Sequence, residues 1–267
     1  MSDAMVYLVG AGPGDPGLLT LRAAEVLASV DVVLYDGLSN PVILEHSPQA
    51  RKINVGKHGQ SRIWKQHEII EEMLSHATAG RRVARLKGGD PAVFARSAEE
   101  IDALQHARIP FEIVPGITAG LAAASYAGIP VTHRRFASAV ALVTGHEEPG
   151  KTQSALDWDA LARFPGTLVI YMGVTTVDHW ASALIDAGKP SETPIAIIRR
   201  VSHSDQQLVR CTLGDVIQRL TPASKIRPPV IVIIGPVARL AKDIDWSLQG
   251  AAVGRPLFAQ SILSTRP

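Results

Sequence analysis

"VYLVGAGPGDPGLLTL", Val6 to Leu21, runs from an apolar strand straight into a glycine-rich turn. Such a stretch suggests a dinucleotide-binding fingerprint, whose glycines fall at relative positions one, three and six. Counting from Gly10, the second glycine is Gly12, but the third position is Asp15. A carboxylate there repels phosphates, which otherwise sit on exposed N–H groups at the positive end of a helix dipole. Pro13 also removes one of those N–H donors. The loop is tight and suits a close backbone approach, and a neutral or cationic ligand fits it better than a pyrophosphate. Taken alone, it also reads as a plain strand-to-helix connection without a ligand.

Outward from this stretch, β-rich runs alternate with helical ones. Val6–Gly10 and Asp31–Tyr35 read as strands around a helical Leu18–Ser29, followed by strands Lys52–Val55, Arg82–Leu86 and Phe111–Val114. Ile69, Ile70, Met73, Leu74 and Ala77 form an apolar stripe at helical spacing that ends at Gly80. Ala98–Ala107 and the alanine-rich Ile117–Ala127 read as further helices. This alternation predicts an α/β architecture with a largely parallel sheet. "GIPVTHRRFAS", Gly128–Ser138, breaks the pattern with Gly, Pro and charge and is the expected hinge. Beyond it, Ala139–Thr144, Thr167–Met172 and Pro194–Ile198 read as strands and Thr176–Ala187 as a helix. Gln206–Thr212 and Val230–Gly235 have no long helix before them, so an antiparallel or mixed second sheet is expected. The expected domains are residues 1–134 and 135–246, with an irregular tail over 247–267.

Composition narrows the class. The 267 residues suffice for one large or two small domains, and 46% hydrophobic with 19% charged residues reads as soluble and globular. The longest apolar run, Val230–Gly235, is strand-sized, so no membrane span is expected. "MSDAM" enters the first strand without the basic segment and apolar core of a signal peptide. The single cysteine, Cys211, excludes an internal disulfide and fits a reducing compartment. A cytoplasmic protein is expected. A net charge of +2 gives no argument for nucleic acid. Nine scattered histidines without an HxxxH pair, and one cysteine, leave metal chemistry unexpected.

Four loops carry the candidate chemistry: "GAGPGDP" (Gly10–Pro16), "LYDGLSN" (Leu34–Asn40), "VARLKGGDPAVFAR" (Val83–Arg96) and "VPGITAG" (Val114–Gly120). Each follows a strand, so all four belong at the carboxyl edge of the sheet, where α/β proteins bind ligands. Together with "VGK", "YAGIPxTHR", "VTGH", "DW", "TLVxYMG" and "TPxA", in this order, they resemble the uroporphyrinogen-III C-methyltransferases of the sirohaem and cobalamin pathway. The likeness runs from about Val6 to Trp246. It implies a two-domain tetrapyrrole methyltransferase fold, a cleft between the domains that takes S-adenosylmethionine (S-adenosylhomocysteine as product), and a homodimer. A sulfonium without phosphates agrees with Pro13 and Asp15.

By that resemblance, Pro13, Gly88, Gly89, Asp90, Val93, Thr118, Ala119, Met172 and Val201 line the cofactor pocket, Val93 and Val201 by position only. Asp36 takes the proton-acceptor role and Lys57 the proton-donor role. Without the family, Asp36 reads equally as a turn cap, Lys57 as a surface lysine and Met172 as core. A substrate with eight carboxylates needs Arg and Lys donors, and Arg85, Lys87, Arg96, His133 and Arg134 are the candidates. Arg135 stands where the family has Asp and receives no role. The implied activity is methylation of uroporphyrinogen III at two ring carbons to give precorrin-2. The alternatives are a later corrin precursor, a non-catalytic ligand-binding relative and, disfavoured by Asp15, a nicotinamide-dependent oxidoreductase. The chain departs from the family at Gly37 (usually Arg), at "ARSAEE" (Ala95–Glu100, usually GRGGEE) and at "RRVSHSDQQ" (Arg199–Gln207). If the missing glycines serve positive φ, Ser97 and Ala98 must settle elsewhere.

Overall fold

A computed structural model describes residues 4–56, 64–147, 154–224 and 226–241. The chain divides into two compact units, one reaching to Thr118 and one starting at Ala119. The first contains β1 (Met5–Gly10), α1 (Leu21–Ser29), β2 (Val32–Tyr35), β3 (Arg51–Asn54), α2 (Gln66–Thr78), β4 (Arg82–Lys87), α3 (Ser97–His106) and β5 (Phe111–Val114). Its strands form one sheet in the order β3-β2-β4-β1-β5, and every pair is parallel. Alternate residues supply its two faces. Val6, Leu8, Val32, Leu34 and Val83 pack with Ile69 and Met73 of α2 and Leu104 of α3. Tyr7, Val9, Val33, Ala84 and Leu86 pack with Ala23, Val26 and Leu27 of α1. From the central strands, the chain leaves β1 toward β2 and leaves β4 toward β5. Their shared carboxyl end is therefore a topological switch point, where such sheets open a crevice.

Helix α1 begins at Leu21, three residues later than the expected Leu18. Asp15 explains the delay: its Oδ1 accepts from Gly17 N at 2.8 Å and caps a separate 3-10 turn over Pro16–Leu18. Thr20 then caps α1, its Oγ1 accepting from Ala23 N at 3.2 Å. The first true helix N-terminus thus lies well past the glycines, which removes the phosphate site of a dinucleotide loop.

The second unit contains α4 (Ala119–Tyr126), β6 (Val140–Thr144), α5 (Trp158–Arg163), β7 (Thr167–Tyr171), α6 (Val177–Asp186), β8 (Pro194–Arg199), β9 (Gln207–Thr212), α7 (Val216–Arg219) and β10 (Val230–Ile234). Its sheet has the order β6-β7-β10-β8-β9. Only β6–β7 is parallel, so this is the expected mixed sheet. Leu168, Ile170, Ile195, Ile197, Val232 and Ile234 pack on Trp180 and Leu184 of α6. The six-residue α5, capped by Asp157 through Ala160 N, is too short for periodicity to reveal. Helix α4 packs on β7 and β10. Its Gly120 N donates to Tyr171 Oη at 2.9 Å, and a Cβ at Gly120 would strike that ring. Helix α4 thus belongs with the second unit, which starts at Ala119.

Candidate functional site

The four loops form one hydrogen-bonded array at the carboxyl edge of the first sheet. Gly12 N donates to Gly89 O at 3.1 Å and Gly89 N to Gly12 O at 2.8 Å, joining the first and third loops. Asn40 Nδ2 donates to Gly14 O at 2.7 Å, joining the second to the first. Asp90 Oδ2 accepts from Gly116 N at 2.9 Å, and its Oδ1 from Ala92 N at 2.7 Å, joining the third to the fourth. Glycine is required where the backbones cross: a Cβ on Gly10 would lie 2.5 Å from Gly116 N and 2.8 Å from Gly89 O. The coincidence of four loops on one edge is therefore a built platform.

Asp36 joins the second loop to the third. Its Oδ1 accepts from Leu38 N at 3.0 Å and from Ser39 N and Oγ at 3.2 Å each, while Oδ2 accepts from Gly88 N at 3.1 Å. The carboxylate faces a cavity of about 690 Å³ lined by Asp36, Leu38, Lys65, His67, Arg85, Lys87, Gly88, Phe94, Arg96 and Glu99, among others. Exposed Leu38 and Phe94 give it apolar surface. Arg96 donates to both carboxylate oxygens of Glu99, from Nε at 2.7 Å and from Nη2 at 2.8 Å.

Arg85 and Lys87 do not present free forks. They alternate with Val83 on the face of β4 toward α2 and α3, and are only 6% and 2% exposed. Glu100 of α3, at 0% exposure, accepts from Lys87 Nζ, from Arg85 Nε at 3.2 Å and from Gln66 Nε2 at 3.2 Å. Arg85 also donates to Leu86 O at 3.1 Å. Burial pushes the Lys87 ammonium below the usual lysine range, with Glu100 opposing the shift, Arg85 adding to it and Asp36 opposing it. Sequence reasoning passed over Glu100. Its signal was Arg85 and Lys87 two apart in a central strand, since buried cations demand a carboxylate.

The remaining expected residues are spread more widely. Pro13, Gly88, Gly89, Asp90, Val93 and Thr118 belong to the loops of the first unit. Ala119, Met172 and Val201 belong to the second. There β7 and β8 both run antiparallel to the β10 between them, so Met172 and Val201, each just past a strand end, share one sheet edge. Met172 is 48% exposed with φ of 54°, so it is not a core methionine. Val201 is buried between Arg200 and Ser202, both at positive φ. His133 and Arg134 lie on a turn of the second unit, His133 stacked on Phe136 at 4.6 Å. Lys57 lies outside the described residues, as does the expected tail over 247–267.

A doubly wound parallel sheet with clipped glycine loops over a charged cavity defines an α/β protein that binds a small ligand at its strand ends. The family model for Tetrapyrrole (Corrin/Porphyrin) Methylases matches residues 5–217, and the chain belongs to that family. It is 47% identical over 236 residues to an S-adenosyl-L-methionine-dependent uroporphyrinogen III methyltransferase of Methanosarcina barkeri, covering 88% of this chain and 92% of that protein. Identity to a uroporphyrinogen-III C-methyltransferase of Bacillus subtilis is 43% over 97% of this chain, which spans about half (53%) of that longer relative. Among solved structures, the Thermus thermophilus uroporphyrin-III C-methyl transferase complexed with S-adenyl homocysteine is similar at TM-score 0.76 and 41% identity, covering 88% of this chain and 99% of that one.

Proposed function

We infer that this protein is an S-adenosylmethionine-dependent methyltransferase that methylates uroporphyrinogen III at two ring carbons to give precorrin-2. One observation carries the reading. The first loop has Pro13 and Asp15 in place of a pyrophosphate loop's N–H donor and glycine, and the second and third loops line a cavity in which Lys65, Arg85, Lys87 and Arg96 outnumber Asp36, Glu99 and the buried Glu100 that holds Arg85 and Lys87. That pairing suits a sulfonium cofactor and a polycarboxylate substrate. When bound, S-adenosylmethionine supplies a methyl group already activated on sulfur. The chain's own task is to align the accepting carbon and manage the proton it releases. Asp36, at the cavity wall, is proposed as proton acceptor and Lys57 as donor. Arg96 at the rim, with His133 and Arg134, is proposed to receive substrate carboxylates, while Arg85 and Lys87 act from beneath. For the cofactor we propose Pro13, Gly88, Gly89, Asp90, Val93, Thr118, Ala119, Met172 and Val201.

Anaerobic incubation with uroporphyrinogen III and S-adenosylmethionine, read by mass spectrometry, tests this directly. A product heavier by two CH2 units, each incoming methyl replacing a proton, is expected, and an unchanged substrate mass overturns the reading. We also propose a cytoplasmic homodimer. Among the described residues no helix is long and apolar enough to cross a membrane, and sedimentation equilibrium checks the dimer.

A further inference from the structure

The buried cluster beneath the cavity leaves one of its donors unused. Arg85 is only 6% exposed, yet it lines the cavity, whereas Glu100 does not. Arg85 Nε donates to Glu100 Oε1 at 3.2 Å and Nη1 to Leu86 O at 3.1 Å, which fixes the guanidinium in place. Among the described residues Nη2 has no acceptor. A guanidinium this deeply buried ordinarily has its donors satisfied. Glu100 is shared with Lys87, so two buried cations stand on one carboxylate, and an arriving anion would restore the balance.

The first turn of α2 meets the same corner. Gln66, its first residue, donates from Nε2 at 3.2 Å to the same Glu100 Oε1 that holds Arg85. Lys65, Gln66 and His67 line the cavity together with Arg85. The helix runs 13 residues, and its first backbone bond is Ile69 N to Lys65 O at 3.2 Å. The amides of Gln66 and His67 precede that bond and have no acceptor among the described residues. They stand at the positive end of the helix dipole. Glu68 is the acid of this turn. Its Oε2 accepts from Lys65 N at 2.7 Å, and it is not part of the cavity wall.

We propose that this corner of the cavity is the seat of one substrate carboxylate, to which Arg85 Nη2 and the amides of Gln66 and His67 donate, with Lys65 adding charge at the rim. The proposal rests on the methyltransferase reading, in which the substrate carries eight carboxylates and must be held by several of them. A carboxylate accepts through two oxygens and about four lone-pair sites, enough for a guanidinium nitrogen and a pair of backbone amides together. Glu100, by holding Arg85 and Gln66 on one oxygen, keeps the strand donor beside the helix donors.

The test compares Arg85→Met, Gln66→Ala and Gln66→Pro in the full chain, by anaerobic steady-state kinetics with uroporphyrinogen III and S-adenosylmethionine. Arg85→Met removes the Nη2 donor and leaves Glu100 with Lys87 and Gln66. Its KM for uroporphyrinogen III is expected to rise about 10-fold or more, with kcat within a few-fold and the KM for S-adenosylmethionine unchanged. Gln66→Ala removes only the side chain, whereas Gln66→Pro also removes the first amide. Lys65 has ψ of 156° and is extended, so proline fits as the first helical residue. The uroporphyrinogen KM of Gln66→Pro should exceed that of Gln66→Ala by about five-fold, at a similar melting temperature. A merely structural role would lower the melting temperature and shift both KM values together or neither. Should Arg85→Met not fold, the two Gln66 variants decide. If the parent turns over, an unchanged uroporphyrinogen KM in Arg85→Met, or equal KM values in Gln66→Pro and Gln66→Ala, overturns the seat and leaves the methyltransferase reading standing. A parent that does not methylate uroporphyrinogen III overturns both.

Discussion

Asp36 is both a candidate base and a structural clip, because one carboxylate accepts four hydrogen bonds from the second and third loops. In Asp36→Asn, an amide that keeps its oxygen toward Leu38 and Ser39 must turn its NH2 group against Gly88 N, and two donors then face each other. The variant is therefore expected to lose stability, by about 1–3 kcal/mol, as well as about 10²–10⁴-fold in kcat. Ser39→Ala separates the two effects. It removes only the Oγ contact, should cost roughly 1 kcal/mol, and should leave kcat within a few-fold. Thermal melts with single-turnover rates on both variants check this, and a large kcat loss in Ser39→Ala would mean that loop geometry is limiting. Cys211 gives a second test. Burial on β9 pushes its thiol from 9.0 up to about 11. Alkylation of the folded protein at pH 8 should run about 10²-fold slower than that of an ordinary thiol. The native state also binds this proton more tightly than the unfolded chain does. Its contribution to stability is thus complete below pH 9.0 and declines as pH rises toward 11. Equilibrium unfolding across that range, compared with Cys211→Ser, measures the difference.

The start of α3 shows how an element absorbs a departure from its family. Glycines are missing from "ARSAEE", yet Ser97 and Ala98 need no left-handed backbone. Positive φ falls instead on Phe94 (51°) and Arg96 (55°), and Ser97 opens the helix. The Ser97 side chain compensates by donating from a buried Oγ to Pro91 O at 2.6 Å, which ties the helix back to the third loop. Ser97→Ala leaves that carbonyl without its donor and is expected to cost about 1–3 kcal/mol, read as a lower denaturant midpoint at unchanged slope. Ser97→Gly should be worse by roughly a further 0.5–1 kcal/mol, since glycine also loses more backbone entropy in a helix. If both variants melt like the parent, the hydrogen bond does not hold this turn.

For the molecule as a whole, ligand linkage is the simplest check on cofactor class. S-adenosylmethionine or S-adenosylhomocysteine at one hundred times its Kd should add roughly 2.7 kcal/mol and raise the melting temperature visibly, while NAD should not. A shift with NAD alone would contradict the reading of Gly10–Pro16 as a loop without a pyrophosphate site.

Most strands were legible in the sequence, as in Phe111–Val114, whose ends agree with β5. Local chemistry sufficed because alternating burial writes a period of two into each strand, and Asp15 and Pro13 already disfavoured a pyrophosphate. The stripe Ile69, Met73 and Ala77 announced α2 in the same way, through residues that one helix face must bury. Partnership across the chain was not legible. Nothing local ties Glu100 to Arg85 and Lys87, Asp36 to Gly88 or Asp90 to Gly116. These contacts exist because parallel crossovers return β1, β2, β4 and β5 to one edge and place α2 and α3 over one face of the sheet. Whether a lysine in "RLK" is a free donor or a buried counter-ion depends on which helix covers its strand, and only long-range packing settles that.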